Sequence, residues 1–176
     1  MKKLMNGAQM KRIDVYSIQE VGIPSLVLME RAALCVTEAV LEKIKKTDKV
    51  LCVCGSGNNG ADGMAVARQL TERGISAEVY TTAEEGKGTE ELNRQCAILQ
   101  KLGIVFVNDI PAGEYNCIID AVFGIGLSRT ITGRYEQIIA KINAAKDTGS
   151  LIVAVDTPSG INAGDGQVMG LSLIHI

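Results

Sequence analysis

The sequence predicts an α/β fold of three layers, with a mostly parallel sheet covered by helices on both faces. Three observations predict it. Short apolar runs of strand length alternate with longer stretches of helical period from Lys49 to Val155. Alternation at that spacing implies right-handed βαβ crossovers and a parallel sheet. The run KVLCVC at 49–54 is apolar almost throughout, as suits a strand buried on both faces. At ~150 residues per domain, a chain of 176 residues makes about one domain.

The elements follow in order. Met10, Ile13, Val15, Ile18 and Val21 mark a first helix that Gly22 ends. Pro24 fits the first turn of a second helix, where its missing N–H costs nothing. Leu26, Met29, Ala33, Val36, Val40, Leu41 and Ile44 give that helix a wide apolar stripe, expected to pack on a sheet or a second subunit. Lys43, Lys45 and Lys46 sit at its negative end as a solvated cluster. Lys49 to Cys54 is the first strand, and a helix runs from Ala61 to Arg73, stopped by Gly74. Ile75 to Tyr80 is a strand, Thr89 to Leu102 a helix stopped by Gly103, and Ile104 to Val107 a short strand. Tyr115 to Val122 is a fourth strand, Tyr135 to Lys146 a helix, and Leu151 to Val155 a fifth strand. The domain is expected to occupy 1–170 and to be incomplete at its C-terminus. LSLIHI at 171–176 is expected to be a non-native tail, so His175, the sole histidine, receives no catalytic role.

Composition narrows the function classes. With 18 basic and 20 acidic residues the net charge is −2, without the cationic face that a nucleic-acid binder needs. Six aromatic residues and no Trp leave an aliphatic core and few stacking sites. Five cysteines without a CxxC pair suit a reducing, cytoplasmic compartment. No apolar run approaches the ~18 residues of a membrane span, and the start lacks a signal-peptide apolar block.

In parallel sheets ligands bind beyond the carboxyl ends of strands, and three turns there carry chemistry. GSGNNGADG at 55–63 contains Gly55, Gly57 and Gly60 in the G-x-G-x-x-G spacing, with Glu78 about 20 residues on, where a ribose-binding acid would stand. The match is weak alone, because Asn58, Asn59 and Asp62 also suit a tight turn with an Asx cap, hydroxyl recognition or a hard cation. Asp120, in the strand before FGIGLSRTITG, is costly to bury unless it is paired or meets a cation. The glycines at 124 and 126 permit close backbone approach, while Ser128, Arg129 and Thr130 add donors for phosphate. A solvated strand end with a mobile loop satisfies the same residues. DTPSG at 156–160 places Asp156 where a general acid/base or a hydroxyl acceptor would stand, and a purely structural turn has the same composition. Three carboxylates and two glycine-rich loops converge at one sheet edge. Neither Cys nor Ser has a histidine partner, which disfavours a triad hydrolase. Cys52 and Cys54 share one face of a buried strand as core residues.

At these residues the chain resembles the NAD(P)H-hydrate epimerase family, the YjeF N-terminal domain, a Rossmann-like fold. The family's GxGNNGGDG, DAxFGTGL and D[IV]PSG motifs are matched in order by GSGNNGADG, DAVFGIGL and DTPSG, and LMERAA at 28–33 resembles its LMExAG helix. The resemblance implies an isomerase of nicotinamide cofactor repair. Its substrates are the R and S forms of hydrated NADH and NADPH, which carry a hydroxyl at C6 of the nicotinamide ring. It implies one K⁺ per subunit at Asn59, Asp120 and Ser159. Substrate contacts are implied at Asn58, Asn59, Gly60, Ala61 and Asp62, at Gly124, Ile125, Gly126, Leu127, Ser128, Arg129 and Thr130, and at Tyr135 and Asp156. Asp156 is the expected proton-transfer group, whether the hydroxyl leaves and returns or the ring opens. A homodimer is implied, as is a dehydratase domain in a full-length protein. Ala61, Ile125 and Thr157 depart from the family's Gly, Thr and Ile or Val. Two other classes compete: an NAD-linked oxidoreductase using Gly55, Gly57, Gly60 and Glu78, and a non-catalytic nucleotide-binding scaffold.

Overall fold

The structure is a computed structural model describing residues 5–173. Four strands form one parallel sheet in the order β2-β1-β3-β4: β1 (Lys49–Cys54), β2 (Ser76–Thr81), β3 (Cys117–Ala121) and β4 (Leu151–Ala154). β1 lies between two partners, and Val50 to Cys54 are fully buried. Its side chains alternate between two cores. Val50, Cys52 and Cys54 join one core with Met64, Ala65 and Leu70 of α3 (Asn58–Glu72) and Leu92 and Leu99 of α4 (Glu90–Lys101). Leu51 and Val53 join the other core with Ile138, Ile139 and Ile142 of α5 (Arg134–Asp147). Each such aliphatic side chain contributes roughly 1.5–3 kcal/mol on full burial, so the alternation along β1 is what holds helices to both faces.

α2 (Ser25–Leu41), whose wide stripe was expected to need a sheet or a second subunit, lies outside α3 instead. Met29, Ala33 and Val40 enter the first core, and Arg68 of α3 pairs with Glu30. Pro24 precedes the first turn, at the N-cap. Lys43, Lys45 and Lys46 are exposed. α1 (Gly7–Gln19) begins with a capping box, in which Asn6 and Gln9 bond each other's backbone N–H. It buries no residue, leaving Met10, Ile13, Val15, Tyr16 and Ile18 exposed. No described helix is long and apolar enough to cross a membrane.

Two predicted elements differ. The strand expected at 104–107 makes a single bridge, Phe106 to Val79, so among the described residues the sheet has four strands and not five. Val79 exchanges bonds with Val105 and Val107, after which the Asp109 carboxylate takes the Ile110 N–H and Pro111 has none to give. The helix expected from Ala61 starts three residues earlier, at Asn58. Gly57 is its extended N-cap, and Gly60 lies in the first turn, where a Cβ would overlap the Gly55 carbonyl oxygen. That glycine serves close packing of helix on turn and does not break the helix.

Of the six residues expected to form a foreign tail, 171–173 are described. Leu171 and Leu173 pack on the α5 core, and the Leu173 N–H bonds the Ser159 carbonyl. His175 lies outside the described residues.

Candidate active site at the carboxyl edge

Register brings the three turns to one edge. Asp120 stands opposite Val53 and Ala154, and the ladder continues one step further through Gly55 N–H to Ala121 and Val155 N–H to Asp120. The residues that follow β1, β3 and β4 therefore emerge side by side.

Asp120 is fully buried, and the second turn meets the third through it. Its Oδ1 accepts the Ser159 hydroxyl at 2.6 Å and the Val122 N–H at 3.2 Å, while Oδ2 accepts the Ser159 N–H at 2.8 Å. Ser159 Oγ in turn accepts the Phe123 N–H at 2.9 Å. Burial pushes the Asp120 carboxyl up to about 6, although these hydrogen bonds favour its charged form. A buried carboxylate so paired is a structural tie between the second and third turns.

The first turn reaches the same place through Asn59. Both polar atoms of its amide are buried without a partner, which folded proteins rarely leave so. Gly124 lies between Asn59 and Asp156, since a Cβ on it would stand 3.4 Å from Asn59 Cγ and 2.5 Å from Asp156 Oδ2. The Asp156 carboxylate is exposed and fixed by one bond, accepting the Ile125 N–H at 2.8 Å.

Asp62 follows Asn59 by three residues, on the same side of α3. Burial first, then the Asp156 and Asp14 carboxylates, push its carboxyl up to about 7. It accepts no hydrogen bond from a described residue.

The other expected contacts form two groups. Gly60 and Ala61 are buried, and the Ala61 methyl belongs to the first core, so this departure from a glycine is absorbed by packing. Ile125 offers its backbone N–H to Asp156, and its side chain lies beside Gly7 of α1. Asn58, Gly126, Ser128, Arg129 and Thr130 are exposed, and Leu127 closes a turn onto the Gly124 carbonyl. The Tyr135 ring sits 4.9 Å from the Phe123 ring, joining α5 to the loop after β3.

Glu78, the expected ribose acid of an oxidoreductase, is engaged elsewhere. It accepts the Tyr115 hydroxyl at 2.6 Å and pairs with Lys49, the first residue of β1. That is the amino end of the sheet, away from Gly55. Sequence reasoning also passed over Asp14, Ser25 and Glu91, which approach Asp62 around a shared cleft. Their one signal was the polar Asp14 inside an otherwise apolar helical stripe.

Among the described residues no three His, Cys, Asp or Glu side chains cluster as a metal site. The donor set at the turns is of another kind: an amide, a carboxylate and a hydroxyl, all hard oxygens with one negative charge.

The chain is similar to known proteins. A family model described as YjeF-related protein N-terminus matches residues 25–174. A protein of Limosilactobacillus fermentum named NAD(P)H-hydrate epimerase is 40% identical over 174 residues, covering 98% of this chain and 82% of its own. One of Oenococcus oeni with the same name is 40% identical over 171 residues, covering 96% and 80%. The crystal structure of yeast YNL200c superposes with a TM-score of 0.85 at 23% identity, covering 98% of this chain and 77% of the yeast chain. That likeness supports the three-layer α/β fold.

Proposed function

The chain belongs to the YjeF-related N-terminal family, and from that premise we propose that it is an NAD(P)H-hydrate epimerase, an isomerase that interconverts the R and S forms of hydrated NADH and NADPH. The observation that carries the reading is the Asp156 carboxylate, pinned by the Ile125 N–H beside Gly124 and Asn59, so that all three motifs meet at one acid. One Asp156 oxygen is committed to the backbone and the other is left to move a proton at the hydrated carbon. Backbone approach at Gly124 and the uncapped first turn of α3 suit a nucleotide, and Arg129 supplies a cation for its phosphates.

Asn59, Asp120 and Ser159 suit a K⁺ ion, one per subunit, because the orphaned Asn59 amide needs a partner and the donors are oxygens. Bound there, K⁺ would neutralise the Asp120 charge and lock the turns that position Asp156. The exposed apolar residues of α1 support a homodimer, and the five free thiols support a cytoplasmic location.

The test is R/S exchange of NADPH hydrate, followed by NMR with and without K⁺. Wild-type protein should accelerate exchange and Asp156→Ala should abolish the acceleration. A variant as fast as wild type would remove the role given to Asp156.

A further inference from the structure

Beside the Asp156 site lies a cleft of about 200 Å³, lined by Asn58, Ala61 and Asp62 of the first motif together with residues of three other helices. Its walls come from four helices: Asp14 and Ile18 of α1, Leu28 and Ala32 of α2, Asp62 of α3 and Glu91 of α4. That volume is below the ~300 Å³ at which drug-sized sites begin, and it suits one ring better than a dinucleotide. The lining contains no Lys or Arg. Phosphate groups are repelled there, whereas an uncharged ring, or one acquiring positive charge, is favoured.

Asp62 opens onto both spaces. It lines the cleft, and its charge is felt by Asp156 on one side and Asp14 on the other. The third acid of the cleft, Glu91, is occupied with the Ser25 hydroxyl at 2.7 Å. Asp156 is held by the Ile125 N–H, while Asp62 is held by no described residue.

Resting on the epimerase reading, we propose that this cleft receives the hydrated nicotinamide ring and that Asp62 is a second catalytic residue, the proton donor to the departing hydroxyl, with Asp156 the acceptor on water's return. The ring nitrogen's lone pair forms a C=N bond as the C6–O bond breaks. The oxygen takes the Asp62 proton and leaves as water. Water then adds to the opposite face of C6, gives a proton to Asp156, and the electron pair returns to nitrogen. One water leaves and one enters, no electron is exchanged with a redox partner, and the proton passes back to Asp62 through solvent. The intermediate ring is cationic, and the carboxylates of Asp14, Asp62 and Asp156 surround it with negative charge. A carboxyl held near pH 7 by burial is protonated often enough to serve as that donor.

The test is R-to-S conversion in H₂¹⁸O, read by mass spectrometry, for wild type, Asp62→Asn and Asp62→Ser. Wild type should incorporate one ¹⁸O per conversion. Both variants should lose about 10²–10⁴-fold in kcat with KM changed by only a few-fold, and both should keep a cooperative melt. An active wild type that converts without ¹⁸O uptake, or folded Asp62 variants with unchanged kcat, would overturn the proposal and leave the epimerase reading standing. A wild type without exchange activity would overturn both.

Discussion

Gly124→Ala should disable the site while leaving the fold nearly intact. The added methyl would stand 2.5 Å from Asp156 Oδ2, about 1 Å inside ordinary contact, and 3.4 Å from Asn59 Cγ. Gly124 is not among the residues at positive φ, so alanine meets no backbone penalty there. What must move is the end of an exposed side chain: the Asp156 carboxylate swings away and gives up the Ile125 N–H. Losing one solvent-accessible hydrogen bond to a carboxylate costs about 1.5 kcal/mol, and the melting temperature should fall by about 3–6 °C. Displacing a catalytic group by about 1 Å costs about 10²-fold in rate. Exchange of NADPH hydrate measured by NMR, beside a thermal melt of the same sample, separates the two effects. Unchanged kcat/KM would show that Asp156 is not where the chemistry occurs. A collapse of the melt would show that Gly124 is a folding residue.

Two further outcomes follow from buried groups. The Asp62 carboxyl holds its proton up to about pH 7 when folded and to about 3.8 when unfolded, so its favourable contribution is complete below 3.8 and is lost as pH rises through 7. At ~1.4 kcal/mol per tenfold change in proton affinity the full effect is at most about 4 kcal/mol. Asp62→Asn should therefore gain stability over wild type steadily between about pH 4 and 7 and level off above 7 in urea titrations, and a gap independent of pH would contradict the assigned burial. Gly60→Ala forces the first turn of α3 off the Gly55 carbonyl and should cost about 3 kcal/mol. Gly57→Ala, in open space, should cost under about 1 kcal/mol, so equal losses by denaturant titration would refute the packing argument.

Much of this molecule was written in its local patterns. The apolar run at 50–54 announced a strand buried on both faces, because side chains of period two with no polar member need cover above and below. Asp120 announced itself as a polar residue inside an apolar strand, which burial tolerates only with partners. The start of α3 was hidden, since Asn-Asn-Gly scores poorly as helix, and Gly60 is required there by its close approach to the Gly55 backbone rather than as a helix breaker. The bridge at Phe106 was likewise misjudged, as an apolar tetrapeptide carries no sign of how many partner residues it will find. The raised Asp62 carboxyl depends on burial first and then on Asp156 and Asp14, brought in from the third turn and the first helix, and neighbours in sequence say nothing of that.

The Ile125 N–H that grips Asp156 is a main-chain group. Nineteen of the twenty amino acids could discharge that duty, so position 125 is free to drift in size and polarity without loosening the acid, and the Ile found here in place of a hydroxyl-bearing residue is an instance of that latitude. Proline alone would unfasten it, which makes the spot permissive to almost every mutation and intolerant of one.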